Sequence, residues 1–255
     1  MILYIIRHAD PDYAHNTITP LGKEEALALG QRMSRVKLDR IYTSPLGRAI
    51  DTARPTMLAL GMENTVLDWT AESMDYMQPR VAGKGGYTFA FRNGVTDVED
   101  CAELERDETM ASLVKNSDEF LASLGYERDG GVYRITRPND ERVAVFCHGG
   151  FGCSWIAWLL GMPPFMGWER IKLRTSAVTR FNFRNNDTGY TVPECDYLND
   201  TSHLPPCGVP NSGRQNNKIT VVSQAFPAEI TVMFFAWLTY AAFFASSSMF
   251  SINMP

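Results

Sequence analysis

The stretch ILYIIRH at residues 2–8 begins with five consecutive apolar residues and ends in an arginine and a histidine. An apolar run without alternation is typical of a strand that is buried on both faces of a parallel sheet. The stretch VAVFCHGG at residues 143–150 has the same form, with His148 directly after the apolar run. Open α/β sheets bind ligands outside the carboxyl ends of their strands. The two stretches therefore predict a parallel sheet with His8 and His148 at its ligand-binding edge.

The pattern between and after these stretches alternates between strands and amphipathic helices. Thr19-Pro20 and Ser44-Pro45 each predict a helix start, because Thr or Ser can cap a helix and proline suits its first position. Further helices are predicted at 97–124 and 151–160, and further strands at 39–43, 65–68, 132–136, 143–147, 171–175, 178–183 and 190–197. Such alternation implies right-handed crossovers. We therefore expect an α/β fold, a three-layer α/β/α sandwich with a mainly parallel central sheet.

The composition is that of a globular chain with an acidic balance. The 255 residues contain 24 Lys and Arg against 29 Asp and Glu, for a formal net charge of −5, and 45% of them are hydrophobic. These values exclude collagen-like, low-complexity and wholly disordered classes. Polyanion binding needs a basic stripe, and the sequence has no run of Lys or Arg, so nucleic acid is not expected as a partner. An anionic substrate would need a local positive site.

The cysteines and the first residues favour a cytoplasmic protein. The five cysteines form no C-x-x-C pair and no zinc-like cluster with histidine, so we expect reduced thiols and no metal site. The apolar run at residues 2–6 is too short for the hydrophobic region of a secretory signal.

The C-terminal region differs from the rest of the chain. Residues 230–252 pass without a charge, and 17 of these 23 residues are hydrophobic. A helix of that length would reach roughly 34 Å, enough to cross a bilayer core. We divide the chain into a catalytic domain at 1–204, a linker at 205–228 and a hydrophobic tail at 229–255. The tail is a membrane anchor, a helix packed on the domain, or an extension from an altered reading frame; the first would make the protein membrane-associated.

Arg48 joins the two histidines at the same edge of the predicted sheet. It lies in the first turn of the helix that follows the second predicted strand. A guanidinium group beside the free N–H groups of a helix start favours binding of an anion.

Four motifs in this order resemble the histidine phosphatase superfamily, which also contains the phosphoglycerate mutases. They are Arg7-His8-Ala9, Thr19-Pro20-Leu21-Gly22, YTSPLGRA at residues 42–49, and Phe146-Cys147-His148-Gly149-Gly150. The segment LNDTSHL at residues 198–204 is similar to the usual end of the family's catalytic domain. The resemblance covers residues 1–204 and implies the same three-layer α/β/α fold.

The resemblance also implies an activity, namely hydrolysis of a small phosphorylated substrate without a metal or other cofactor. His8 would be the nucleophile and would form phosphohistidine. Arg7, Arg48 and a protonated His148 would bind the phosphoryl oxygens. The segment 73–131 would fold over the site as a loop and helix insert.

The proton donor depends on the branch of the superfamily. One branch has an Asp directly after the second motif histidine, where this chain has Gly149. The other branch takes its acid from a Glu shortly after the third strand, which corresponds to Glu72, with Asp75 and Glu99 as substitutes. A carboxyl group among apolar neighbours has a raised pKa, as a general acid requires.

The sequence departs from the family pattern at Ala9 and leaves two alternative functions open. The family usually has Gly where this chain has Ala9, which would shift the loop or narrow the phosphate pocket. His15 and His203 match no motif and are expected to be surface or structural residues. A phosphoglycerate mutase is the closest alternative, although DPDYA at residues 10–14 replaces that branch's Glu-Ser-x-Trp-Asn type segment. A degenerate, non-catalytic phosphate-binding protein is the second alternative.

Overall fold

The computed structural model describes residues 1–73 and 108–205. The candidate acids Asp75 and Glu99, most of the linker and the whole tail lie outside the described residues. Within the described part, no helix combines the length and the apolar character needed to span a membrane.

In chain order the elements are β1 (Ile2–Arg7), β2 (Pro11–Asp12), β3 (Thr17–Ile18), α1 (Pro20–Met33), β4 (Arg40–Thr43), α2 (Gly47–Leu60), β5 (Asn64–Val66), a 3-10 turn (Asp68–Thr70), α3 (Glu108–Ser123), β6 (Tyr126–Asp129), β7 (Val132–Ile135), β8 (Arg142–Cys147), α4 (Gly149–Leu159), α5 (Met166–Arg170), β9 (Val178–Phe183), β10 (Tyr190–Thr191) and β11 (Pro193–Asp200).

The central sheet has six strands in the order β11-β9-β1-β8-β4-β5. Strands β1, β8, β4 and β5 pair in parallel. Strand β9 runs antiparallel to both of its neighbours, β1 and β11. Two smaller sheets, β10-β7-β6 and β2-β3, complete the described strands. The sheet is thus mainly parallel, and the carboxyl ends of β1, β8 and β4 meet at one edge.

Residues along β1 alternate between two apolar clusters on opposite faces of the sheet. Leu3 and Ile5 belong to a cluster that includes residues of α3 and α4. Tyr4 and Ile6 belong to a cluster that includes residues of α1 and α2. Because each face carries its own helical layer, the continuous apolar run is buried from both sides. The predicted three-layer α/β/α sandwich is confirmed.

The strand predicted at 171–175 is wrong. Ile171 and Leu173 are buried, so their alternation reflects packing on the core rather than membership of a sheet. Their carbonyls accept from side chains instead of a strand: Ile171 O lies 3.3 Å from Cys153 Sγ, and Leu173 O lies 2.6 Å from Arg7 Nη1.

One of the two predicted helix caps forms. The Thr19 hydroxyl accepts from the Gly22 N–H at 3.0 Å and caps α1. Ser44 does not cap α2, which begins at Gly47 and has no side-chain cap. The Ser44 hydroxyl instead lies 2.7 Å from His148 Nε2. Ser44 of the Ser-Pro pattern therefore contacts a histidine and does not cap the helix.

The region after residue 108 differs in detail from the sequence reading. The described part of the predicted helix 97–124 is Glu108–Ser123, which packs in the core with α4. A hairpin of β6 and β7, with Gly130 in the left-handed region, was not predicted. The strand predicted at 190–197 is divided between β10 and β11, which belong to different sheets.

Candidate active site

His8 and His148 lie side by side at the carboxyl edge of the sheet. Each follows directly on its strand, and β1 and β8 are neighbours in register, with Arg7 opposite Cys147. The His8 N–H donates to the Cys147 carbonyl at 2.8 Å, which extends the pairing to the histidine itself. The two rings are 5.2 Å apart between centroids, and both side chains are buried. The predicted juxtaposition is therefore present.

Main-chain geometry holds the His8 ring. Its Nδ1 lies 2.7 Å from the carbonyl oxygen of Ala9. A carbonyl can only accept, so Nδ1 carries the proton and Nε2 keeps its lone pair in the neutral ring. Burial, reinforced by the charges of Arg7 and Arg48, lowers the pKa of His8 to about 3. A neutral His8 therefore has an unprotonated Nε2 with an available lone pair.

Arg7, which precedes His8, is anchored by one of its guanidinium nitrogens. Nη1 donates to the Leu173 carbonyl at 2.6 Å. The buried Nε has no hydrogen-bond partner within residues 1–73 and 108–205. A Cβ at Gly149 would lie 3.2 Å from Nε and 3.3 Å from Cζ of Arg7. The glycine after the second histidine therefore gives the guanidinium its space.

Arg48 occupies the second position of α2 and is mostly buried. Its Nη1 donates to Asn16 Oδ1 at 3.2 Å, and its guanidinium carbon lies 5.4 Å from the centre of the Tyr13 ring. The buried Nε has no partner among the described residues. Asn16 and Tyr13 come from the loop after β2, so this loop and α2 together fix the second arginine.

The surroundings of His148 favour a neutral ring, whereas a protonated ring was expected. Burial, followed by the nearby His8, Arg48 and Arg7, lowers the pKa of His148 to about 2. Its Nε2 lies 2.7 Å from Ser44 Oγ, and its buried Nδ1 has no partner in the described part of the chain. A neutral imidazole still has one N–H donor, and its position depends on the tautomer.

Glu72 binds the start of α4. Its Oε2 accepts from the Gly150 N–H at 2.9 Å, and its Oε1 accepts from the Phe151 N–H at 2.8 Å. Three residues earlier in the chain, the Trp69 ring packs edge-on against Phe151, with 5.4 Å between the ring centroids. Burial raises the pKa of Glu72, although these two N–H groups and the two arginines oppose the shift. Glu72 is therefore a partly buried carboxyl group bound to the start of α4, which follows His148, and not a solvated loop carboxylate.

Residues 3–194 match the family profile described as "Histidine phosphatase superfamily (branch 1)". The chain belongs to this superfamily.

Two curated relatives are similar to most of the chain. "Probable phosphoglycerate mutase GpmB" from Proteus mirabilis (strain HI4320) is 21% identical over 218 residues, which cover 79% of this chain and 94% of the relative. The protein of the same name from Salmonella choleraesuis (strain SC-B67) is 22% identical over 221 residues, which cover 79% and 94%.

Two solved structures show the same fold. A mutant of phosphoserine phosphatase from Entamoeba histolytica in complex with phosphoserine aligns with a TM-score of 0.53 and 23% identity, covering 80% of this chain and 99% of that chain. The mycobacterial glucosyl-3-phosphoglycerate phosphatase in complex with VO3 aligns with a TM-score of 0.51 and 20% identity, covering 78% and 98%.

Two supporting residues of this superfamily member were missed by the sequence reading. Thr52 Oγ1 accepts from the Ala9 N–H at 2.9 Å and donates to the Arg48 carbonyl at 2.7 Å. Glu25 accepts from the Asp10 N–H at 2.9 Å and from the Thr175 hydroxyl at 2.9 Å. Each is a polar residue on the buried face of an amphipathic helix. A polar residue at such a position is the sequence signal that could have identified it.

Ala9 fits the loop after β1 without strain. Ala9 is not among the described residues with positive φ, so the conformational freedom of glycine is not needed here. Its buried side chain packs in a small cluster with Ile18 and Ala26. The expected shift of this loop is therefore not required.

The other two histidines differ from each other in this superfamily member. His15 is exposed and lies 2.8 Å from Asp12. His203 Nε2 lies 3.0 Å from Ser176 Oγ, and the Ser176 N–H donates to the His8 carbonyl at 3.1 Å. His203 thus contacts a residue that is bonded to the main chain of His8, which is a structural role.

The described residues contain no group of three or more His, Cys, Asp or Glu that could hold a metal ion. The described cysteines are free thiols, and burial raises the pKa of both Cys147 and Cys153.

Proposed function

We propose that this superfamily member hydrolyses phosphate monoesters through a phosphohistidine at His8. The observation that carries the proposal is the bond from His8 Nδ1 to the Ala9 carbonyl at 2.7 Å, which leaves Nε2 as a free nucleophile. The same carbonyl would stabilise the positive charge that develops on the ring when Nε2 bonds to phosphorus.

Arg7 and Arg48 would supply the fixed positive charge for the phosphoryl oxygens. Each has a buried Nε without a partner in the described residues, while its Nη1 is anchored to protein oxygen. Guanidinium forks suit phosphate geometry. Two arginines and the N–H donor of His148 provide the electrostatic stabilisation that phosphoryl transfer requires, so the reaction is proposed to need no metal.

The first step would form the phosphoenzyme. The lone pair on His8 Nε2 attacks phosphorus, and the bond from phosphorus to the leaving oxygen breaks. Glu72 is the proposed proton donor to that oxygen, and its raised pKa favours the protonated form that this step needs.

The second step would release phosphate. The Glu72 carboxylate takes a proton from water, the water oxygen attacks phosphorus, and the bond to His8 Nε2 breaks. Free His8 and protonated Glu72 are restored, so the cycle balances.

The solved relatives support a small phosphorylated substrate. One is named a phosphoserine phosphatase and is bound to phosphoserine; another is named a glucosyl-3-phosphoglycerate phosphatase. Both names describe monoesters of alcohols, which need protonation of the leaving oxygen.

The proposal is tested with the His8→Ala variant and an aryl phosphate. Release of phosphate should fall to background, and wild-type enzyme quenched during turnover with labelled substrate should carry acid-labile phosphate at residue 8. His15→Ala is the matched control, because His15 is exposed and pairs only with Asp12 among the described contacts. A His8→Ala protein as active as the wild type, or activity that chelators abolish, would refute the mechanism.

A phosphoglycerate mutase is the second candidate, because the curated relatives bear that name. Incubation with 3-phosphoglycerate and its bisphosphate cofactor separates the two. Formation of 2-phosphoglycerate without free phosphate identifies a mutase. Binding of vanadate without either reaction identifies a non-catalytic member.

We also propose that residues 1–204 suffice for the activity. This truncated chain should match the specific activity of the full chain. Dependence of the full chain alone on detergent would assign membrane contact to residues 230–252.

A further inference from the structure

Ser44 directly follows β4, and its buried hydroxyl group has both a main-chain and a side-chain partner. Its N–H donates to the Phe146 carbonyl at 2.9 Å, which ties Ser44 to the strand that carries His148. Its Oγ accepts from the Leu46 N–H at 3.3 Å and lies 2.7 Å from His148 Nε2. The side chain is fully buried, so water does not compete for these contacts.

The hydroxyl proton of Ser44 has one acceptor among the described residues. A hydroxyl has a single proton and two lone pairs. The Leu46 N–H uses one lone pair, and a nitrogen donor cannot receive the hydroxyl proton. A buried hydroxyl whose proton has no acceptor is costly. The proton therefore goes to His148 Nε2, which must offer its lone pair.

This assignment determines the tautomer of His148. If Nε2 accepts from Ser44, then in the neutral ring the proton is on Nδ1. That Nδ1 is buried and has no partner within residues 1–73 and 108–205. The His148 ring lies 5.2 Å from the ring of His8. Because Nε2 contacts Ser44, Nδ1 is the ring nitrogen of His148 that is left to bind a phosphoryl oxygen.

We propose that Ser44 is a positioning residue that fixes neutral His148 in its Nδ1–H tautomer and so provides a hydrogen-bond donor for the phosphoryl group. The part that concerns phosphate rests on the proposed function. The lowered pKa of His148 supports the neutral ring that this role requires. Without Ser44 the ring would populate the Nε2–H tautomer, in which Nδ1 presents a lone pair to the phosphoryl oxygens and repels them.

The tautomer is measured directly in the wild-type protein. A long-range proton–nitrogen correlation spectrum of ¹⁵N-histidine-labelled protein at pH 7, assigned with His148→Asn, should show a protonated Nδ1 and an unprotonated Nε2 for His148. A protonated Nε2 would overturn the proposal. This measurement requires no turnover and no variant at Ser44.

Two variants then test the consequence for catalysis. Ser44→Ala should shift the His148 tautomer and lower kcat/KM by roughly 10- to 100-fold, the range for a hydrogen bond to a charged group. Ser44→Thr, which keeps the hydroxyl, should restore the wild-type tautomer and most of the rate. Ser154→Ala is the matched control, because Ser154 Oγ is buried on α4 without a partner in the described residues; both tautomer and rate should stay as in the wild type.

Failure of this proposal is distinguishable from failure of the proposed function. A wild-type Nδ1–H tautomer that persists in Ser44→Ala refutes the role of Ser44 even if the enzyme is active. A protein that hydrolyses no phosphate monoester refutes the function, while the spectra of wild type and Ser44→Ala still decide whether Ser44 sets the tautomer.

Discussion

Replacement of Glu72 by Gln should separate the two contributions of this side chain, since the carboxyl group both binds α4 and is the proposed acid. Glutamine has the same shape but cannot donate a titratable proton. The loss of a general acid typically costs 10²- to 10⁴-fold. The cost depends on the leaving group: an alkoxide needs the proton, whereas a nitrophenolate leaves without it. We therefore expect kcat/KM, which reports the steps up to departure of the leaving group, to fall by roughly 10²-fold or more for phosphoserine and by less than about tenfold for 4-nitrophenyl phosphate.

The structural part of the change is estimated from the two hydrogen bonds to α4. Glutamine keeps one acceptor for the N–H groups of Gly150 and Phe151, which lie 2.9 and 2.8 Å from the carboxylate oxygens, and turns its NH₂ toward the other. Loss of one hydrogen bond to a charged group costs about 1.5–3 kcal/mol. For a domain of this size that lowers Tm by roughly 3–12 °C. Thermal unfolding of Glu72→Gln measures this part separately.

The ratio of the two kcat/KM values is the decisive measurement, because hydrolysis of the phosphoenzyme, which also uses Glu72, does not enter kcat/KM. A displaced α4 would move His148 and would lower both rates by the same factor, so it cannot change the ratio. Glu141→Gln is the control, because Glu141 pairs with Arg40 and lies at the start of β8, at the opposite end from His148. Equal losses for the two substrates in Glu72→Gln would refute the assignment of Glu72 as the acid.

Three further predictions follow from the same geometry. Burial lowers the pKa of His8 to about 3 and of His148 to about 2, so below about pH 6.5 the unfolded chain binds more protons than the folded chain. The free energy of unfolding, measured in urea, should therefore fall by on the order of 4 kcal/mol from these two groups between pH 7 and pH 5. A free energy of unfolding that does not change with pH would contradict their burial as neutral rings. Gly149→Ala places a Cβ 3.2 Å from Arg7 Nε, so KM should rise roughly 3- to 10-fold with Tm unchanged; an unchanged KM would show that Arg7 is not positioned by this contact. Arg48→Lys keeps the charge but loses the fork, so KM for the aryl phosphate should rise about tenfold with little change in Tm, and a wild-type KM would show that charge alone suffices at Arg48.

The strand-end residues were predictable because their signal is local. An apolar run that ends in a charged or imidazole side chain specifies both the strand and its carboxyl end. His8 and His148 are adjacent because β1 and β8 are parallel neighbours. The helix start that contains Arg48 was also local, although its cap was not the predicted one.

The partners of these residues were not predictable, because they come from distant parts of the chain. The pattern at Ser44 is the same whether its hydroxyl caps a helix or meets a histidine 104 residues away. The buried alternation at Ile171 and Leu173 is the same in a strand and in an irregular segment packed on the core. Only the tertiary fold brings the Leu173 carbonyl within hydrogen-bond distance of Arg7 Nη1.

The bond between His8 Nδ1 and the Ala9 carbonyl has a consequence for how this site tolerates mutation. In many enzymes a carboxylate orients the histidine, and a single substitution removes it. Here the orienting oxygen belongs to the main chain, and every amino acid at position 9 carries it. Substitutions around the site can therefore change its shape while His8, the proposed nucleophile, keeps its orientation. The specificity of the site can then change without loss of the orienting bond.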